Sequence, residues 1–98
     1  MIHPSLEGYK LEFSKEALKY LHTLDNHSSQ RIVKKIKELT SDVENLNLKK
    51  IKSTRCNLYR LRIGNYRVIY SIEHDHITIF IVAIGHRKDI YDQIRHYQ

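Results

Sequence analysis

Arginine residues near the middle of the chain are its strongest candidates for chemistry. Arg60, Arg62 and Arg67 flank Gly64-Asn65, a residue pair typical of two-residue β-hairpin loops. With that loop, Arg62 lies directly opposite Arg67, and all three arginines share one face of the sheet. Like charges placed this way destabilise a sheet, whereas guanidinium groups bind phosphate oxygens in bidentate fashion. The pattern therefore predicts a site for a polyanion or a phosphorane transition state; the alternative is a solvated face or one that pairs with an acidic protein.

A second group of candidates follows the last predicted strand. Gly85-His86-Arg87 stands at its end, and Tyr91 follows four residues after Arg87. A histidine in such a turn can move protons near neutral pH, and a tyrosine hydroxyl can donate or orient a hydrogen bond. Arg87 is expected at the rim of the arginine face. His86 could equally be structural, and Tyr91 could equally belong to the core of a terminal helix.

Lysines form a further basic segment, at Lys49, Lys50 and Lys52. These side chains could hold a nucleic-acid backbone, or they could make an ordinary solvated loop. The lysines and Arg31 of the second predicted helix are assigned to its solvent-facing side.

Neither a metal nor a cofactor is expected. The seven histidines show no convincing metal-ligand spacing, and with the single cysteine, Cys56, a zinc site is not favoured. His74-Asp75-His76 is only a weak metal motif. Gly8, Gly64 and Gly85 lie too far apart for a phosphate-binding or dinucleotide-binding loop. No pair of carboxylates stands out for hydrolysis.

The composition is that of one small basic domain. Of the 98 residues, 41% are hydrophobic and 29% are charged, which fits a single folded domain over residues 1–98 with an irregular leader over 1–8. The 17 Lys and Arg residues against 11 Asp and Glu give a net charge of +6, which favours RNA, DNA or an acidic protein as partner. The lone cysteine, the lack of a signal-like segment and the lack of a membrane-length apolar run predict a cytoplasmic protein.

The elements that must position these residues follow from hydrophobic periodicity. Tyr9–Phe13 alternates between apolar and polar residues and predicts a strand, after which Ser14 caps a helix that runs to about Thr23. A turn at 25–28 starts a second helix, so the two helices should form a hairpin. A period of two then predicts three strands, at residues 57–63, 66–73 and 76–84. The last dozen residues predict a short terminal helix.

Pairing across the Gly64-Asn65 loop also predicts which side chains share a face of the sheet. One apolar face should receive the helical hairpin; it holds Tyr59, Leu61, Ile63, Tyr66, Val68, Tyr70, Ile72, Ile77, Ile79, Ile81 and Ala83. The arginine face also holds Ile69, Phe80, Val82 and Ile84. These four residues are more apolar than a solvated face needs, so a partner is expected to cover them. An acidic, partly disordered protein would match both the apolar strip and the positive charge.

Taken in order, these motifs resemble those of the RelE/ParE toxin superfamily. The resemblance rests on Tyr59–Tyr70 and Ile84–Tyr91, with support from Phe13–Leu18 and Lys50–Lys52, and it spans about Tyr9 to Tyr91. It implies an α+β fold in which an N-terminal strand and a helical hairpin pack on a small, mostly antiparallel β-sheet (RelE-like). A short C-terminal helix completes the expected fold.

RelE-like members are toxins of type II toxin–antitoxin systems that cleave mRNA in the ribosomal A site. The resemblance implies a metal-independent endoribonuclease, or mRNA interferase, that uses the RNA 2′-hydroxyl as nucleophile and needs no cofactor. It also implies three partners, which are a cognate antitoxin protein, mRNA and the ribosome, and no membrane. The positions that match the family's functional residues are Arg60, Arg62, Arg67, His86, Arg87 and Tyr91.

One departure from the family concerns the group that moves the proton. The best-known branch has lysines where this chain has Arg60 and Arg62, and a lysine there can act as general base. An arginine does not readily release its proton. The base would therefore have to be another group, such as His86 or Tyr91, or the rate would be lower.

Two other functions fit the same fold. A ParE-like toxin would inhibit DNA gyrase and cut no RNA, and a non-catalytic member would only bind RNA or protein. ParE-like members generally lack the full set of basic residues with a tyrosine or histidine. The presence of that set in this chain favours the nuclease.

Overall fold

The sequence folds into a sheet that carries helices on one side and a short terminal helix on the other. The computed structural model describes residues 6, 8–40, 49–51 and 58–93. Within them the elements are β1 (Lys10–Phe13), α1 (Lys15–Thr23), α2 (Asn26–Lys37), β2 (Lys49–Ile51), β3 (Leu58–Ile63), β4 (Tyr66–Glu73), β5 (Thr78–His86) and α3 (Ile90–Gln93). Short 3₁₀ turns occupy Glu38–Thr40 and His74–His76.

The sheet has five strands in the order β1-β5-β4-β3-β2. β2 to β5 pair antiparallel, and β1 pairs parallel with β5, with Phe13 beside Ile81. This architecture confirms the predicted α+β fold with a mostly antiparallel sheet. β2 was not predicted, because three residues in a polar segment give no period to recognise.

α1 begins after Ser14, as the sequence predicts, whereas α2 begins at Asn26, within the segment predicted to be a turn. Ser14 Oγ accepts a hydrogen bond from the Ala17 amide at 3.0 Å, and an Asp25 carboxylate oxygen accepts one from the Ser28 amide at 3.2 Å, so each helix has a side-chain N-cap. The helices cover the apolar face of the sheet. The core between them includes Ala17, Leu21, Ile32, Ile36, Leu39, Val68, Tyr70, Ile79 and Ile81.

A β-bulge interrupts the pairing of β4 with β5. Ile69 lies beside Ala83, but the next residue, Tyr70, lies beside Ile81, so Val82 is an extra residue in β5. An extra residue reverses the alternation of side chains beyond it. Ala83 therefore lies with the second core cluster and Ile84 with the first, the opposite of the faces predicted for them.

Ser14 holds this bulge against the start of α1. Its hydroxyl donates to the Val82 carbonyl at 2.7 Å, and its amide donates to the Ile81 carbonyl at 2.9 Å. A carbonyl at a bulge lacks its regular ladder partner, so the serine hydroxyl supplies the missing donor. One side chain thus caps a helix and stabilises the kink in the neighbouring strand.

The apolar residues for which a covering partner was predicted are mostly buried within the chain itself. Ile69 and Val82 are buried in the second cluster, together with Leu58, Ala83 and the fully buried Ile90 of α3. Ile84 is buried on the other face, and only Phe80 is partly exposed. The apolar argument for a covering antitoxin is therefore wrong.

The connection from β4 to β5 also differs from the prediction. A 3₁₀ turn fills His74–His76, and β5 begins at Thr78 and ends at His86, two residues later at each end than predicted. Ile77 has a left-handed backbone (φ 48°) and is 54% exposed. It does not lie on the buried apolar face, because the turn rotates it out of the strand.

Candidate functional site

The arginine face is built by the hairpin of β3 and β4. Arg62 pairs with Arg67 and Arg60 pairs with Ile69, which confirms the register predicted from the loop. Gly64 has a φ of +56°, whereas the φ of Asn65 is not positive. This is the backbone pattern of a type II′ turn, in which glycine occupies the first central position.

Arg67 lies at the centre of the positive charge. Its Nη1 donates to the Gly64 and Tyr66 carbonyls, both at 2.9 Å, so the half-buried guanidinium is fixed against the hairpin loop. Burial lowers the pKa of Arg67, and Arg62 lowers it further. The positive charges of Arg60 and Arg87 also lower the pKa of Arg67, whereas the Tyr91 phenol raises it.

The same electrostatic neighbours show that the predicted residues converge. Four of the other five candidates, all except His86, are close enough to act on the charge of Arg67, although they come from β3, the turn after β5 and α3. Guanidinium groups gathered in this way attract anions, because each group is permanently charged and presents several donors. The site can therefore bind a phosphodiester and stabilise negative charge that develops on it.

Tyr91 joins the cluster through a direct hydrogen bond. Arg60 Nη1 donates to the Tyr91 hydroxyl at 2.9 Å, and the Tyr91 side chain is 40% exposed. The adjacent Ile90 is fully buried and anchors α3. Of the two interpretations of Tyr91, the structure favours the site over the core.

Arg87 is held at the rim of the site by the backbone. Its amide donates to the Asn65 carbonyl at 2.7 Å, which ties the end of β5 to the loop between β3 and β4. Its side chain is exposed. The hairpin loop and the turn after β5 therefore form one continuous edge of the arginine face.

The structure does not bring His86 to the arginine face. His86 pairs with Tyr66, and their rings make an edge-on contact with centroids 6.3 Å apart on the side of the helices. Gly85, not His86, lies beside Arg67, because the bulge has reversed the alternation. The His86 Nδ1 atom accepts the Lys88 amide at 3.3 Å, which places the proton of a neutral ring on Nε2.

The partly buried phenol of Tyr20 lies close to His86 on that side. Burial raises the pKa of Tyr20, and nearby Tyr66 and Asp89 raise it further, against a hydrogen bond from the His86 backbone. Asp89 also donates its amide to the His86 carbonyl at 2.9 Å. These contacts give His86 a structural setting separate from the arginines.

The three predicted lysines are only partly within the described residues. Lys49 and Lys50 lie in β2, where the backbone of Lys49 pairs with Arg60 and that of Lys50 with Tyr59. Lys52 lies outside the described residues. The backbone of β2 thus runs beside the strand that carries Arg60 and Arg62.

The weak metal motif has other contacts. The Tyr9 hydroxyl and His74 Nδ1 are hydrogen-bonded at 2.7 Å, and His76 Nδ1 lies 3.9 Å from a Glu73 carboxylate oxygen. Over the described ranges, no group of three or more His, Cys, Asp or Glu side chains is arranged to hold a metal ion. In the same part of the chain, every helix is too short or too polar to cross a membrane.

This chain is similar to a family of toxins and to proteins named as RelE toxins. Residues 11–91 match the family model of the ParE toxin of the type II toxin-antitoxin system, parDE. Toxin RelE3 of Methanocaldococcus jannaschii is 37% identical over 87 residues, which cover 85% of this chain and 96% of that protein. The mRNA interferase toxin RelE of Escherichia coli K12 is 24% identical over 82 residues, which cover 83% and 85%.

Two solved structures of similar proteins are toxin–antitoxin complexes. The RelB-RelE antitoxin-toxin complex from Methanococcus jannaschii has a chain 38% identical to this one, with a TM-score of 0.64 over 84% of this chain and 96% of that chain. The archaeal RelE-RelB complex from Pyrococcus horikoshii OT3 has one 29% identical, with a TM-score of 0.66 over 81% and 94%.

Proposed function

Because this chain belongs to the RelE/ParE toxin superfamily, we propose that it is an endoribonuclease that cleaves mRNA in the ribosomal A site. Its named relatives are RelE toxins, which favours this activity over a ParE-like action on DNA gyrase. The observation that carries the proposal is the convergence of four guanidinium groups and the Tyr91 hydroxyl at one edge of the sheet.

The proposed reaction uses a nucleophile that the RNA itself supplies. The 2′-hydroxyl oxygen attacks the adjacent phosphorus, the bond from phosphorus to the 5′ oxygen breaks, and a 2′,3′-cyclic phosphate and a 5′-hydroxyl end result. Water takes the proton from the 2′ oxygen, and the Tyr91 hydroxyl gives its proton to the departing 5′ oxygen. Negative charge grows on the phosphoryl oxygens in the transition state, where guanidinium groups stabilise it.

Tyr91 is the proposed proton-transfer residue. Of the two candidates, His86 lies on the far side of the sheet, whereas the Tyr91 hydroxyl lies 2.9 Å from Arg60 within the cluster. Because that hydroxyl accepts from Arg60, its own proton is free to point towards a bound phosphodiester. Arg60, Arg62, Arg67 and Arg87 bind and orient the RNA and stabilise the transition state.

Lys49, Lys50 and Lys52 are proposed to hold the RNA backbone beside the cleavage site. In the sheet β2 lies next to β3, with the Lys49 backbone opposite that of Arg60. Lysine ammonium groups bind phosphates as point charges and contribute affinity without reading sequence.

An antitoxin is the proposed protein partner. Two similar chains of known structure were solved in RelE–RelB complexes. The net charge of +6 favours an acidic antitoxin, whose carboxylates would neutralise the arginine face and compete with RNA. Binding should therefore weaken as salt is added.

The proposal is tested by primer extension on a reporter mRNA after brief induction of the toxin, with Arg87→Ala and Tyr91→Phe as variants. We expect new cuts inside translated codons for the parent. Either variant should reduce them at least about 100-fold, because each removes a group that acts on the transition state. Lys35→Ala is the control, since it removes an exposed charge on α2 without touching the site.

Two outcomes would contradict the proposal. Intact mRNA with arrested growth and broken DNA would point to gyrase as the target. Intact mRNA with normal growth of cells that contain folded protein would indicate a member that only binds.

A further inference from the structure

Arg31 of α2 reaches the hairpin loop from the helical side of the sheet. The position that a Cβ atom would take on Gly64 lies 3.2 Å from Arg31 Nη2, 3.4 Å from Nη1 and 3.6 Å from Cζ. The guanidinium therefore lies against Gly64, and a Cβ atom there would require it to shift by a few tenths of an ångström. The positive φ of Gly64 is what calls for glycine.

Arg67 contacts the same residue from the other face. Its Nη1 donates to the Gly64 carbonyl at 2.9 Å, while Arg31 packs against the Cα side of Gly64. These distances and ordinary bond lengths place the two guanidinium groups within about 10 Å of each other. Two permanent positive charges, one from a helix and one from a strand, thus enclose the tip of the hairpin.

The charge of Arg31 is exposed and is not matched by a carboxylate in the described residues. The side-chain ion pairs found there join Lys35 to Glu38 and His76 to Glu73. The arginine face beside the tip is also positive, through Arg67 and Arg87. Folding alone gains nothing from concentrating like charges at a turn, whereas a bound phosphate chain does.

We propose that Arg31 is a further RNA-binding residue, which holds a backbone phosphate next to the one bound by Arg67. The RNA strand would cross the hairpin tip, with one phosphate on each side of Gly64. This inference rests on the proposed function and extends that site beyond the arginine face. The role is positioning, because Arg31 contacts the substrate backbone away from the reacting phosphorus.

A purely structural role for Arg31 makes a different prediction. If the guanidinium only covers Gly64, its loss lowers stability and leaves RNA affinity per folded molecule unchanged. If it binds phosphate, its loss lowers affinity and the dependence of affinity on salt. Arg31→Lys separates the two roles further, since lysine keeps the positive charge and loses the planar guanidinium that lies against Gly64.

The test is binding of a fluorescent RNA oligonucleotide made resistant to cleavage by 2′-deoxy substitution, measured by anisotropy at several salt concentrations. Arg31→Gln should weaken binding about 5- to 20-fold at low salt and reduce the salt slope by about 1. Arg31→Lys should recover much of the affinity. Lys34→Gln is the matched control, because it removes one exposed charge from the same helix and should change affinity less than about twofold.

Equal affinities and salt slopes for Arg31→Gln and Lys34→Gln would overturn the inference, as would a parent protein that binds no RNA. Unchanged RNA binding with weaker binding of an acidic protein would also overturn it, in favour of a protein ligand. A parent that binds this RNA in an Arg31-dependent way but cuts no mRNA would support the inference and contradict the proposed nuclease.

Discussion

Tyr91 and His86 are five residues apart in the sequence, but their side chains lie on different sides of the sheet. The Tyr91 hydroxyl accepts a hydrogen bond from Arg60 on the arginine face, whereas the His86 ring contacts Tyr66 on the side of the helices. Arginine side chains stay protonated and cannot replace the lysines of the best-known branch as a base. The one side chain proposed to transfer a proton is therefore the phenol of Tyr91, which protonates the departing 5′ oxygen.

The positions of the arginines could be predicted from the sequence, but the positions of His86 and Arg31 could not. Gly64-Asn65 sets a short-range register, so Arg62 necessarily faces Arg67. The side of the sheet taken by His86 depends on a bulge inside a run in which nearly every residue is apolar, so alternation carries no signal there. The contact of Arg31 with Gly64 joins distant segments that no periodicity relates.

Tyr70 supplies a pH-dependent contribution to stability. Burial, with a smaller effect of Tyr59, raises the pKa of Tyr70 to about 12. The unfolded phenol ionises near pH 10, so between these two pH values the unfolded chain has lost a proton that the folded chain keeps. The contribution is fully present below pH 10 and is lost as the pH rises towards 12.

We expect the free energy of unfolding of the parent to fall by about 2 kcal/mol more than that of Tyr70→Phe between pH 9 and pH 12. Urea unfolding at the two pH values measures the difference. The variant lacks the buried phenol but keeps nearly all other titrating groups. An equal fall in both proteins would show that Tyr70 ionises normally in the folded state.

At the scale of elements, the bulge in β5 determines what the arginine face contains. It sends Val82 and Ala83 to the side of α3 and His86 to the side of the helices. The helices, the hairpin and its register followed from periodicity and capping residues. The bulge and β2 did not, because an extra residue in an apolar strand and a three-residue strand leave no distinct pattern.

Ser14 should contribute strongly to stability because its hydroxyl has two roles. Ser14→Ala removes the N-cap of α1 and also the donor to the Val82 carbonyl. We expect a loss of about 2–3 kcal/mol in the free energy of unfolding, measured in urea. Ser14→Thr keeps the hydroxyl and should lose less than about 1 kcal/mol; equal losses for both variants would show that neither hydrogen bond matters.

At the scale of the whole molecule, positive charge gathers where the hairpin loop, the end of β5 and α3 meet. Arg67 is tied to the loop carbonyls, and Arg87 is tied to Asn65 through its amide. The apolar residues behind this edge are already covered by Ile90. We therefore expect RNA and an acidic antitoxin to bind the same charged edge and to compete.

The proposed function requires that this edge cleave RNA through the 2′-hydroxyl of the substrate. The most direct measurement incubates the purified toxin with ribosomes that hold a defined mRNA in the A site, made either entirely of ribonucleotides or with 2′-deoxynucleotides in the A-site codon. We expect rapid cleavage of the first mRNA and, with the same amount of bound toxin, no cleavage of the second. Equal cleavage of both, or cleavage of neither, would contradict it.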